Sequence, residues 1–186
     1  MRAFVVVGPE SSGNKYMVRL LCEAGCAGRS DDYQPYDDLS DLTVQFPEGQ
    51  PLPENVGFHR SFPHAGSWPL LGKIKEKLSG FGYSTVIIVM VRDVEAIQHS
   101  QVRRGHVDSA ETARKNIARA NALIWGEIAG NDMMYYSILY GRLADRDYVK
   151  DLLRTLELNS EASLSDFVDA DQKYRVDALS SGFLAR

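Results

Sequence analysis

Two cysteines in 186 residues are too few for a disulfide framework, and no second cysteine pair or nearby histidine completes a zinc set around them. Cys22 and Cys26 stand four apart in a stretch of helical periodicity, where we expect them to share a face as reduced, half-buried packing residues. Long apolar runs are missing too: no segment approaches the length that spans a bilayer. Met1-Arg2-Ala3 leads straight into Phe4-Val5-Val6-Val7, without the charged region, apolar stretch and cleavage site of a secretory leader. A cytoplasmic protein with no membrane partner is the expectation. Basic excess is also absent. With 21 Lys and Arg against 25 Asp and Glu, the net charge of −4 does not suit a protein that coats nucleic acid, and no nucleic-acid partner is expected. A local pocket for a small anion remains compatible with that total. Neither an internal repeat nor a low-complexity tract is present, and the length suits one domain with one good core.

What is there alternates between strand and helix patterns. Ala3 to Val7 is a short, continuous, Val-rich run ending at Gly8, as in a strand buried on both faces of a parallel sheet. A turn rich in Gly and Ser follows, and from Asn14 to Ala24 the apolar residues Met17, Leu20, Leu21 and Ala24 recur at helical spacing before a stop at Gly25. Gly28 to Glu54 carries many Asp, Pro and Ser with little periodicity and reads as a long surface excursion, with a short helical turn near Tyr36 to Leu42. Further strands are predicted at Asn55–Phe62, Ser84–Val91 and Met134–Tyr140, and further helices at Trp68–Leu78, Glu95–Gln101, Ser109–Ala129 and Asp145–Leu156. From Ser160 the tail is polar. Strands alternating with helices predict an α/β fold of three layers, with a mainly parallel sheet of about four or five strands between helices.

The chemistry begins at Gly8-Pro9-Glu10-Ser11-Ser12-Gly13-Asn14-Lys15-Tyr16, between a buried strand and a helix. Glycines let backbone N–H groups turn inward, and the helix start adds partial positive charge, so an oxyanion binds there with little side-chain help. Against the triphosphatase pattern GxxxxGK followed by Ser or Thr, both glycines are correctly spaced, but Asn14 stands where Lys belongs and Lys15 where the Mg²⁺-binding hydroxyl belongs. A phosphate site that needs no metal is the better reading.

The segment Ser12-Gly13-Asn14-Lys15-Tyr16 resembles the Ser-Gly-Thr-Thr-aromatic part of the loop of sulfotransferases, P-loop proteins that use 3′-phosphoadenosine 5′-phosphosulfate (PAPS) without a metal. That family grips the 3′-phosphate with an Arg at a strand end and a Ser eight residues later. Here the strongest strand pattern is followed by Arg92, and eight residues on stands Ser100. The resemblance implies that Ser11, Ser12, Gly13, Asn14, Lys15, Tyr16, Arg92 and Ser100 bind the nucleotide. The basic residue that the family carries before the loop Ser is replaced by Ser11, a loss that Lys15 partly makes good. The counterpart of the family's Lys-Thr-His-Leu-Pro segment is His59-Arg60-Ser61-Phe62-Pro63-His64, in which the family's His falls on Ser61. His64 and His59 are therefore both candidates for the base that deprotonates a small-molecule or glycan acceptor. Lys15 and Arg60 are candidates for charge stabilisation, and Glu10 is a further base candidate. His99 and His106 rank below them, on the opposite side of the Arg-Ser segment. Arg103 and Arg104 read equally well as a solvated basic loop. Lys173 and Arg175 belong to Asp171-Gln172-Lys173-Tyr174-Arg175, which resembles the basic tail of bacterial sulfotransferase-like proteins. A degenerate P-loop kinase or hydrolase, and a nucleotide-binding module without catalysis, are the alternatives.

Overall fold

The computed structural model describes residues 1–28, 51–64 and 66–167. The predicted turn near Tyr36 to Leu42 and the tail residues Lys173 and Arg175 lie outside the described residues. Four strands, β1 (Arg2–Pro9), β2 (Asn55–Phe62), β3 (Ser84–Val91) and β4 (Met134–Leu139), form one wholly parallel sheet in the order β2-β1-β3-β4. Around it the described residues place five helices: α1 (Asn14–Glu23), α2 (Leu71–Gly80), α3 (Val94–Arg103), α4 (Ala110–Gly130) and α5 (Arg146–Thr155).

The central strands β1 and β3 feed both faces of the sheet because side chains alternate across it. Phe4 and Val6 of β1, with Val86, Ile88 and Met90 of β3, pack against Met17, Leu20 and Leu21 of α1 and Val149, Leu152 and Leu153 of α5. On the other face Ala3, Val5, Val7, Ile87 and Val89 meet Leu71, Ile74 and Leu78 of α2 and Ala120, Ile124 and Ile128 of α4. The registers agree with this division, since Phe4 lies opposite Val86 and Val6 opposite Ile88. Burying a residue such as Ile88 contributes roughly 1.5–3 kcal/mol, and the continuous apolar run makes that gain available on both faces. Three layers result.

The helix starts follow their sequence signals. Asp93 accepts from the amide of Ala96 at 2.9 Å, Ser109 from Thr112 at 3.1 Å, and Asp145 from both Asp147 and Tyr148 at 3.1 Å. The predicted stripe Ala113, Ile117, Ala120, Ile124, Ile128 is buried along α4. Gly25, at φ 103, ends α1, with the amides of Gly25 and Cys26 returning to the carbonyls of Cys22 and Leu21.

Three expectations need correction. Cys26 lies beyond the end of α1, so the two cysteines do not share a helical face; neither forms a disulfide, and burial pushes the Cys26 thiol up to about 12. The second helix begins at Leu71 rather than Trp68, because Pro69 disfavours helical geometry in the residue before it. Trp68 instead lies under the Arg119 guanidinium, 4.1 Å from ring centroid to Cζ. Finally, β4 stops at Leu139, and Tyr140 opens a 3₁₀ turn that runs to Ala144. Among the described residues no helix is long and apolar enough to cross a membrane.

Candidate anion site at the β1/β3 crevice

The strand order decides where a ligand fits. From β1 the chain moves outward to β2, then crosses back over β1 to β3 and continues away to β4, so the connections leave β1 and β3 in opposite directions. Parallel sheets bind ligands at such a divide, beyond the carboxyl ends of the strands. The glycine loop follows β1 and Arg92 follows β3, so both stand at this crevice.

Two residues of the loop adopt left-handed backbone. Gly13, at φ 100, precedes the helix, and Ser11, at φ 71, holds a conformation that costs a non-glycine residue on the order of 1 kcal/mol. No side chain caps α1, and its first intrahelical bond runs from the Met17 amide to the Gly13 carbonyl. The Ser12 amide turns back to the Pro9 carbonyl at 3.1 Å, while by helix geometry the amides of the first turn of α1 lack intrahelical partners and lie at the end of the axis, where their dipoles favour an anion.

Side chains inside the loop serve its own architecture. Ser12 is fully buried and donates to Asn14 Oδ1 at 2.8 Å; Asn14 Nδ2 donates to the Gly8 carbonyl at 3.3 Å and to Ser61 Oγ at 3.1 Å. Asn14 thus ties the helix start to the ends of β1 and β2, in the position where a triphosphatase would carry its phosphate-binding lysine.

Outside contacts fix the loop from the β3 side. Arg92 donates to the Ser11 carbonyl at 2.5 Å, and its guanidinium lies 4.5 Å above the Tyr140 ring. The same ring abuts Gly13: a Cβ there would stand 2.7 Å from Tyr140 Cε2. Gln101 of α3 donates to the Glu10 carbonyl at 2.9 Å, and the Glu10 carboxylate meets His106 Nδ1 at 3.2 Å. Ser11 Oγ and Gln101 Oε1 are buried, without a hydrogen-bond partner among the described residues.

The histidine segment lies on the β2 side. His59 and His64 are both buried, their rings edge to face with centroids 5.5 Å apart. Burial, then the charges of His64, Arg60 and Lys15, lower the His59 pKa to about 3, so its imidazole is neutral at physiological pH. His64 Nδ1 accepts from the Ser61 amide at 3.4 Å, which in the neutral ring leaves the proton on Nε2. Arg60 is buried, its guanidinium 5.0 Å from the Phe58 ring and bonded to the His59 carbonyl.

The backbone from Ser11 to Lys15 and the Arg92 guanidinium therefore meet beyond the ends of β1 and β3, whereas the Ser12 and Asn14 side chains are turned into the loop itself, and His59 and His64 lie on the β2 side. Ser100 is 1% exposed within α3 and presents no surface of its own. Tyr16 turns toward the polar segment after α5, its hydroxyl 3.4 Å from the Ser165 carbonyl and its ionisation raised by burial. Arg103 and Arg104 are exposed at the end of α3. Sequence reasoning did not find Tyr140 or Gln101, and it ranked His106 below the site it touches. Gln101 left a faint trace, as a polar residue in phase with the buried face of α3. Among the described residues no group of three or more His, Cys, Asp or Glu is arranged to hold a metal ion.

Compared with known proteins, the chain matches no protein-family model and no curated sequence.

Proposed function

We propose that this crevice binds PAPS and that the protein transfers its sulfuryl group to a hydroxyl or amine of a small-molecule or glycan acceptor. The observation that carries the reading is the contact of Arg92 with the Ser11 carbonyl: a permanently charged fork stands beside the amides of the first turn of α1. A ligand with two separate phosphate groups fits that pair of anion-binding elements better than one with a single phosphate. The loop amides hold the 5′-phosphate, Arg92 meets the 3′-phosphate, and Lys15 stands by the oxygen that departs from sulfur. In the transfer the acceptor oxygen or nitrogen bonds to sulfur and the bond from sulfur to the phosphate oxygen breaks. His59, with its pKa near 3, is a poor proton acceptor at neutral pH. The acceptor's proton is assigned to His64, which takes it at Nδ1 on giving up the Ser61 amide.

Calorimetric titration with 3′-phosphoadenosine 5′-phosphate in the presence of EDTA tests the reading. Binding in the micromolar range is expected, weakened about a hundredfold by Arg92→Ala, as befits loss of a charge-assisted contact. No heat of binding to the wild-type protein ends the proposal. Mg²⁺-dependent turnover of ATP or GTP supports the kinase or hydrolase alternative instead, against which the inward-turned Asn14 side chain counts.

A second reading, nucleotide binding without transfer, is favoured by the two histidines, one too weak a base and the other with its acceptor nitrogen engaged. Transfer of labelled sulfate from PAPS to any member of a broad acceptor library dismisses it.

A further inference from the structure

The polar segment beyond α5 looks in sequence like a solvated tail, yet part of it is firmly seated. Ser165 engages Glu23 twice: its amide donates to one carboxylate oxygen at 2.8 Å, and its hydroxyl bonds the other. Arg146 of α5 donates to the Leu164 carbonyl at 3.2 Å and pairs with Asp166 at 2.6 Å. The Asn159 amide reaches the Ala24 carbonyl at 3.3 Å. Tethered to both α1 and α5, the segment places Phe167 between two tyrosines, 5.3 Å from Tyr16 and 5.1 Å from Tyr140 by ring centroids. Tyr140 is the ring over which Arg92 lies and against which Gly13 packs.

We infer that Phe167 is a positioning residue for the anion site: through Tyr140 it sets the stance of Arg92 on the glycine loop. The physical reason is the pairing of a cation with an aromatic face, whose strength depends on the ring's orientation. Tyr140 belongs to a short 3₁₀ turn, a weaker frame than a strand or helix. Phe167 supports this ring from a segment that the carboxylate of Glu23 and the guanidinium of Arg146 hold in place. The inference concerns the geometry of Arg92 in the protein alone; its effect on ligand affinity rests on the function proposed above.

The test therefore has two arms. In the unliganded protein, the Nε–H resonance of Arg92, identified by its loss in Arg92→Lys, reports the ring current of Tyr140. Phe167→Ala is expected to move that resonance, and Phe167→Tyr, which keeps the ring, to restore it. In the second arm, the Kd for 3′-phosphoadenosine 5′-phosphate rises about tenfold in Phe167→Ala and recovers in Phe167→Tyr. Glu23→Gln, which loosens the Ser165 anchor while leaving all three rings in the sequence, moves both readouts the same way and serves if Phe167→Ala does not fold. A variant that loses thermal stability while the Arg92 resonance stays put shows Phe167 to be mere cover for apolar surface, and overturns the inference. Should the wild-type protein bind no nucleotide, the resonance arm still decides.

Discussion

Alanine at Gly13 is expected to lower the free energy of unfolding by about 2–4 kcal/mol, as the sum of a left-handed backbone cost and the strain of an overpacked contact. At φ 100 the added Cβ meets the Tyr140 ring, which is 5% exposed, packed into the core and carrying the Arg92 guanidinium. The ring has little room to retreat, so the loop is displaced and Arg92 with it. Gly25 offers a matched control: its φ is 103, yet a Cβ there meets nothing within 4 Å. Gly25→Ala is therefore expected to cost only the backbone part, about 1 kcal/mol. Urea denaturation of the two variants measures the difference directly. Equal losses at the two positions mean that the packing of Tyr140 against the loop is wrong.

Acid is expected to destabilise the protein strongly through His59. The unfolded chain takes up a proton on this imidazole below about pH 6.5, whereas the folded form, with its pKa lowered to about 3, refuses it. Between those values the unfolded state binds more protons, so stability falls as the pH drops through the window and levels off below it. The loss from this one group amounts to about 3 kcal/mol between pH 7 and pH 4. Carboxylates add their own dependence, and comparison with His59→Gln removes it: the variant's curve is expected to be flatter by roughly that amount. Parallel curves for the two proteins would show that His59 is accessible to protons in the folded state. The same burial makes the neutral His59 imidazole a poor proton acceptor near pH 7.

Much of the architecture was legible because it is local. The bounds of β3 follow from a run of apolar residues, and the caps Asp93, Ser109 and Asp145 stand where short polar side chains precede an amphipathic stretch. Errors gathered where a neighbour in space overrides the local pattern. Tyr140 continues an apolar run in the sequence, yet its ring belongs to the loop it packs against, and the chain leaves the strand to deliver it there. Cys26 keeps helical spacing from Cys22, but the left-handed turn at Gly25 ends the helix between them.

The site divides along the same line. That Gly8 to Lys15 forms a strand-loop-helix turn is written in eight consecutive residues, because glycine placement and helix polarity are properties of the chain itself. That Asn14 faces inward to Ser61, that Gln101 and His106 brace Glu10, and that Arg92 rests on Ser11 and Tyr140 depends on residues tens of positions apart. Hydrogen bonds of that kind follow from the strand order, and the order β2-β1-β3-β4 sets the apolar strands β1 and β3 at the centre, where both faces are covered, and β2 and β4 at the edges. No single segment carries that information, since a strand's own pattern separates a central place from an edge but does not name its neighbours.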